Sequence, residues 1–455
     1  MSAPAPAFDP GSVRAFRFAG ARADWATGEV RLGYALEPGH AFTETFRFPL
    51  PAGSPPDPAR RWALDAAVRL LHLVAGVSYY KAAVPPRIEV EGEPPSPEAA
   101  RALERLWRGG LAEFAWRNRL PGVGRAIAFP AGRPAPEAAP TLGAGPRSLV
   151  PVGGGKDSVV SLAALARAGE DVLAFSVGRK ASADAAARIE AVPMLHVERE
   201  LDPALFALNR AGALNGHVPV TAIVTCAAIV AALLHGCDAV VMSNERSASA
   251  GSFEWPEYGG VVNHQHSKGW GSERDLAELV RREVAGDLRV FSLLRPWSEL
   301  AISRAFAALP EHHGTFMSCN RVFRIDRPAA SGWCGECPKC RFVFLALAPF
   351  TPREALVGTF GRDLLDDPAG EDGYRAILGI DADKPFECVG EVDEARAAMR
   401  ALAASPQWAG AAIVERLGPL AGPPDPGAVA PWLTPAGEHA IPERHLRAAG
   451  ALLGP

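Results

Sequence analysis

The stretch 148–158, SLVPVGGGKDS, constrains this chain more than any other. Its short apolar run, 149–152, reads as a buried parallel strand. Three glycines, Gly153, Gly154 and Gly155, stop the run. Lys156, Asp157 and Ser158 then open an apolar-periodic segment, VVSLAALARAG, that reads as a helix. A strand, a glycine turn and a helix N-terminus together favour a bound phosphate, because glycines let the backbone approach the anion and unpaired N–H groups point at it with the helix dipole behind them.

The loop fits neither of two common phosphate motifs. A Walker loop ends in Gly-Lys-Ser/Thr, and here Asp157 separates Lys156 from Ser158; a dinucleotide fingerprint needs a third glycine where Ser158 stands. GGGKDS resembles instead the SGGxDS loop of the PP-loop ATP pyrophosphatases, which cleave ATP between its α and β phosphates and adenylate a substrate. Gly153 replaces the first serine of that pattern, which removes one hydroxyl contact to pyrophosphate.

Downstream, strand patterns at 149–152, 172–177, 194–197, 239–243 and 290–294 alternate with helical patterns at 159–168, 182–189, 203–208, 221–235 and 272–284. Alternation of this kind predicts an α/β fold, a doubly wound parallel sheet with ligands at the carboxyl ends of its strands. Upstream, alternating segments near 13–18 and 29–34 and helical periodicity at 62–74 and 96–108 predict a separate N-terminal α+β domain over 1–130. Its Tyr79, Tyr80, Trp116 and Arg117 suit a packing patch better than a ligand site. Proline, alanine and glycine dominate 131–146, which reads as a linker; 147–350 then forms the phosphate-loop domain, and 351–455 is a helical region with a Pro/Gly/Ala-rich tail.

Polar clusters following the strand ends mark the expected site. They are 215–221 (NGHVPVT), 243–249 (SNERSAS) with the loop beyond it to Lys268, and 295–299 (RPWSE). His217, His264, His266 and Glu245 are the candidate proton-transfer groups, since a histidine titrates in the useful range and burial tunes a glutamate upward. Arg246, Lys268 and Arg295 are candidate anion contacts. The dense stretch KPFECVGE, 384–391, either reaches back to the site or packs.

The chain has seven cysteines, and four of them cluster. Cys334, Cys337 and Cys340 stand at two-residue spacing in CGECPKC, and fourteen residues separate Cys319 from Cys334. Such a set suits a closed structural zinc site, in which binding contributes ~10–16 kcal/mol of folding energy. An iron–sulfur cluster uses similar ligands and is the rival. Cys226, Cys237 and Cys388 read as ordinary buried or scattered residues. A net charge of −4 gives no global basic field for nucleic acid, no membrane span is evident, and the start of the chain lacks the pattern of a signal peptide, so a cytoplasmic protein is expected.

The phosphate loop followed by a late cysteine module is similar to the deazaguanine synthases of the PP-loop superfamily. A larger set of segments, LHLVAGVSYYK, LVPVGGGKDS, NGHVPVTA, SNERSAS, VNHQHSKG, WCGECPKCRFVFLALAPF and KPFECVGE, resembles the muramoyl-dipeptide glutamate epimerases of peptidoglycan precursor synthesis. This second resemblance implies a PP-loop (HUP-like) fold and an ATP- and magnesium-dependent inversion of a terminal L-glutamate in UDP-MurNAc-L-Ala-L-Glu. Under it, Gly153, Gly154, Gly155 and Ser158 hold phosphates, Asp157 lies near magnesium and Lys156 neutralises developing charge. It also gives the first domain a role in recognising the UDP-sugar. Two other readings stand beside it: a PP-loop enzyme that amidates or thiolates a base or tRNA, and a non-enzymatic ATP-binding zinc protein with a degenerate loop.

Overall fold

Period-two alternation in the central strands assigns each side chain to one of two cores. The computed structural model describes residues 8–52, 56–322, 332–380 and 384–454. Strands β5 (Gly145–Pro151), β6 (Asp171–Val177), β7 (Met194–Glu200), β8 (Cys237–Met242) and β11 (Arg289–Ser292) pair in parallel in the order β11-β8-β5-β6-β7. Leu149, Leu173, Phe175 and Val240 point into one hydrophobic core, whereas Val150, Val172, Ala174 and Val241 point into the other. Strands buried on both faces read as continuous apolar runs, which is why the sequence marks them clearly.

The expected α/β alternation is present, with elements in the predicted order. One face is covered by helices Pro58–Ala75 and Val220–Leu234, and the other by Lys156–Arg167, Glu299–Ala307 and Glu443–Leu453. The helical C-terminal region therefore closes the second face of the sheet. Among the described residues no helix is long and apolar enough to cross a membrane.

The N-terminal region adds to the same sheet. Strands β1 (Ala15–Asp24), β2 (Glu29–Glu37) and β3 (His40–Arg47) form an antiparallel meander, and β4 (Arg87–Val90) lies parallel to β1. Strand β3 pairs with β7 through Thr45 to Arg47, which makes one nine-stranded mixed sheet. Composition changes at 131–146, yet hydrogen bonding and packing run across that boundary. Tyr79 and Tyr80 are fully buried. Tyr79 stacks on Tyr34 at 4.7 Å and Tyr80 meets Trp107 at 5.1 Å, so the aromatic stretch packs as expected.

The 243–268 loop holds more regular structure than its composition suggests. A 3-10 turn at Arg246–Ser249, a hairpin of β9 (Phe253–Trp255) and β10 (Gly260–Val262), and a second 3-10 turn at His266–Lys268 fill it. Strands of three residues are too short to show a period.

At the β3–β7 junction, Arg199 Nε donates to the fully buried Glu44 at 2.5 Å. Burial raises the Glu44 carboxyl, and Arg199 works against that rise. Arg199→Met leaves an uncompensated buried acid and is expected to cost about 3–5 kcal/mol in urea unfolding; a loss below about 1 kcal/mol would show that this pair does not hold the junction.

Candidate active site

The phosphate loop is built around one glycine that admits no replacement. Gly154 has φ +85°, and a Cβ there would lie 2.0 Å from Ser182 Oγ, so both the backbone and the space demand glycine. Gly155 is nearly as tight, 2.7 Å from Ser318 Oγ, whereas Gly153 faces open space that accommodates a larger residue. Ser158 Oγ donates to the Gly155 carbonyl at 3.1 Å and accepts from Gly153 N–H at 3.3 Å, which fixes the turn at the start of helix Lys156–Arg167.

Behind this turn lies a buried cluster of charges. Lys156 is fully buried and its ammonium donates to both Asp157 and Glu299. Burial alone would lower its pKa, but the two carboxylates outweigh burial and raise it. Asp157 is held below the usual range by Lys156 and Lys339, against the effect of burial. Glu245, just beyond β8, is pushed upward by burial, with Lys268 opposing and Glu299 and Asp157 adding to the rise. Lys339 Nζ lies 3.7 Å from Glu299 Oε1. Glu394 is fully buried with neither carboxylate oxygen bonded; burial and its neighbours Glu299 and Glu391 push it up to about 8.

The expected site residues separate into two groups. Lys156, Asp157, Glu245 and Lys268 come together electrostatically, and Arg246 reaches the cluster beside Glu394 while lying over the Trp432 ring at 5.6 Å. His217 and His264 face each other with ring centroids 4.4 Å apart. Burial pulls His217 down to about 4, helped by the charge of His264. His266 is turned away from this pair: its ring packs against Gly109 and lines a cavity of about 490 Å³. Arg295 is not an open anion contact. It donates to the Glu245 carbonyl at 2.8 Å, to Glu273 at 2.6 Å and to the Lys268 carbonyl, so it fixes the two loops that carry site residues.

Sequence reasoning missed Glu113, Glu394 and Cys388, and it placed Glu299 only within a polar cluster. Glu113 accepts from His264 Nδ1 and, through its other oxygen, from Arg117 Nε at 2.6 Å. Cys388 is half-buried and accepts a hydrogen bond from Lys268 Nζ at 3.3 Å, which corrects its reading as an ordinary scattered cysteine. The stretch 384–391 does reach back to the site: Glu387 accepts from Lys339 N–H at 3.1 Å and from Asn320 Nδ2 at 2.9 Å.

Cys319, Cys334, Cys337 and Cys340 bring four thiols within 4.8 Å of one another. The Cys337 and Cys340 sulfurs are 3.4 Å apart, and those of Cys334 and Cys340 are 3.7 Å apart. Four thiolates around one tetrahedral ion, with metal–sulfur bonds of about 2.3 Å, would be about 3.8 Å apart, so the donor set fits a single ion. The module also touches the phosphate loop, because Met317 N–H donates to the Gly154 carbonyl at 2.8 Å. Asp157 and Glu245 supply the hard oxygen donors that suit magnesium, which commonly takes one or two carboxylates together with substrate phosphates.

Comparison with known proteins finds similarity over nearly the whole chain. Residues 7–293 match the model of the MurL N-terminal domain, and residues 315–423 match that of the MurL C-terminal domain. The UDP-N-acetyl-alpha-D-muramoyl-L-alanyl-L-glutamate epimerase of Xanthomonas oryzae pv. oryzae is 47% identical over 96% of this chain and 97% of its own length. Proteins of the same description from Salinispora tropica and a Micromonospora species are 44% and 45% identical, covering 97% and 95% of this chain and 96% and 97% of their own. The chain belongs to the UDP-N-acetyl-alpha-D-muramoyl-L-alanyl-L-glutamate epimerase family.

Proposed function

We propose that this protein inverts the terminal L-glutamate of UDP-N-acetyl-α-D-muramoyl-L-alanyl-L-glutamate to D-glutamate through an acyl-adenylate, with release of AMP and diphosphate. Identity of 44–47% to three epimerases across nearly the full chain is the observation that carries the reading. The product is a peptidoglycan precursor, and ATP with a nucleotide-linked substrate points to the cytoplasm.

Elementary chemistry explains why an epimerase would consume ATP. Removing the α-proton beside a free carboxylate puts a second negative charge next to the first. Adenylation removes the first charge and lets the carbonyl carry the enolate. The glycine turn supports this step under a PP-loop reading: its N–H groups and the following helix N-terminus receive the phosphates. Asp157 and Glu245 would hold magnesium, which supplies charge neutralisation at the phosphates. Lys156, fixed between Asp157 and Glu299, favours the charged form of Asp157 and holds both acids in place. Once inversion is complete, water releases AMP from the adenylate.

For the far end of the substrate, an aromatic and basic rim offers the best seat. Trp116, Arg117, Arg119, Trp255 and Phe386 line one hollow of about 430 Å³. Trp116 is 43% exposed and its ring meets that of Trp255 at 5.0 Å. Exposed aromatic faces suit the uracil base, and arginines suit the diphosphate. Since Trp116, Arg117 and Arg119 come from the N-terminal region, this seat gives that region its role in UDP-sugar recognition.

Incubating the protein with magnesium, ATP and UDP-MurNAc-L-Ala-L-Glu, then hydrolysing the product, is expected to yield D-glutamate with AMP and pyrophosphate. AMP without D-glutamate would instead indicate a different adenylated acid, and no nucleotide turnover would favour a binding protein. Trp116→Ala is expected to raise KM for the UDP substrate by about 5- to 150-fold, the loss of about 1–3 kcal/mol of base stacking, with little change in kcat; an unchanged KM places the nucleotide elsewhere. Metal analysis is expected to find one zinc per chain on Cys319, Cys334, Cys337 and Cys340. Its removal by a chelator should expose 384–391 to proteolysis, because Glu387 is tied to Lys339 and Asn320; iron and sulfide in the protein would replace zinc with a cluster.

A further inference from the structure

Cys388 belongs to neither the hydrophobic cores nor the four-thiol module. Cys226 and Cys237 are buried in apolar surroundings, and burial raises both thiols, so they remain protonated and inert. Cys388 stands in a different environment. Lys268 Nζ donates to its sulfur at 3.3 Å, and His264 lies close enough to act on it electrostatically. The other side of the His264 ring is held by Glu113, whose second oxygen is anchored by Arg117. The result is a line of side chains, Arg117–Glu113–His264–Cys388–Lys268, drawn from three distant parts of the chain.

Electrostatics agrees with this geometry. Burial would push the Cys388 thiol up, but Lys268 and His264, with Lys339 behind them, bring it down to about 7. Burial would pull His264 down, but the nearby Cys388 sulfur and its bond to Glu113 lift it to about 9. The order of the two groups is thus reversed from the ordinary one, and as pH rises through about 7 sulfur takes up the charge while the proton stays on imidazole. Glu245 and Asp157 complete the charged surroundings through Lys268.

Resting on the epimerase reading, we propose that Cys388 is the base that takes the α-proton of the activated glutamyl residue, with His264 and Glu113 as the positioning residues that keep it a thiolate. As the Cα–H bond breaks, an S–H bond forms and the C–H electron pair moves into the acyl-adenylate carbonyl as an enolate. A proton from water enters the opposite face of Cα, and the hydroxide left behind takes the proton from Cys388, so atoms and charge balance and the thiolate is restored. A base with a pKa close to the working pH combines a large ionised fraction with useful basicity. Neither member of the histidine pair meets that requirement as well: His217 is too acidic when protonated, and His264 is already charged.

The test uses the full-length protein with magnesium, ATP and the UDP-dipeptide in D₂O. Wild type is expected to show substrate-dependent exchange between pyrophosphate and ATP, deuterium at Cα and D-glutamate. Cys388→Ala is expected to keep the pyrophosphate exchange and to lose deuterium incorporation and D-glutamate by about 10²–10⁴-fold. Deuterium incorporation near the wild-type rate in that variant overturns the assignment, as does a substrate-derived acyl adduct on Cys388, which would make it a nucleophile. A second measurement covers a variant that fails to fold. Iodoacetamide modification of Cys388 in wild type, followed by peptide mapping, should have a midpoint near pH 7 and should rise when Glu113 is changed to Gln; a midpoint near the ordinary thiol value of about 8.5 overturns the proposal. If wild type makes no D-glutamate, the epimerase reading fails, while the alkylation midpoint still reports on the thiolate.

Discussion

A completely buried ammonium can exist only where carboxylates surround it, and Lys156 imposes that condition on everything near the phosphate loop. It draws Asp157 from its own helix and Glu299 from the helix after the last strand. Glu299 in turn faces Lys339, which lies between two cysteines of the thiol module. Each partner belongs to a different element, so satisfying one buried charge fixes the relative position of the loop, the second face of the sheet and the cysteine turn. Glu394 shows the opposite case, a buried carboxyl without a partner, and its raised pKa is the expected response.

The scaffold delivers side chains to this centre from both sides of the sheet. Strand β8 leads to Glu245, strand β11 leads to Arg295, and Arg295 ties Glu245 and Lys268 together by their carbonyls. The N-terminal region contributes Glu113 and the aromatic rim, although its strands lie at the far end of the sheet.

What the sequence discloses follows from where each signal resides. Parallel strands buried on both faces and a glycine turn leave local patterns, and the four cysteines announce themselves by spacing. The continuation of the sheet through β3 and β7 leaves none, since pairing between Thr45 and Glu200 depends on residues far apart in the chain. Glu113 and Glu394 sit on helices, Glu394 beside Glu391 and Asp393, and neither belongs to a recognisable motif. His264 and His266 are two positions apart, and only the 3-10 turn separates their directions. Cys388 looked ordinary because its neighbours in space, Lys268 and His264, precede it by more than a hundred residues.

That separation has a consequence for the chain before it is folded. The bonds from Glu113 to His264 and from Lys268 to Cys388 span 151 and 120 residues, and contacts of such range form late because loop closure must precede them. Until they form, Cys388 has neither cation beside it and behaves as an ordinary thiol, mostly protonated at neutral pH. Susceptibility to oxidation follows thiolate character, so the nascent chain travels with its sulfur chemically quiet. Reactivity arrives only with the packing that also shields it.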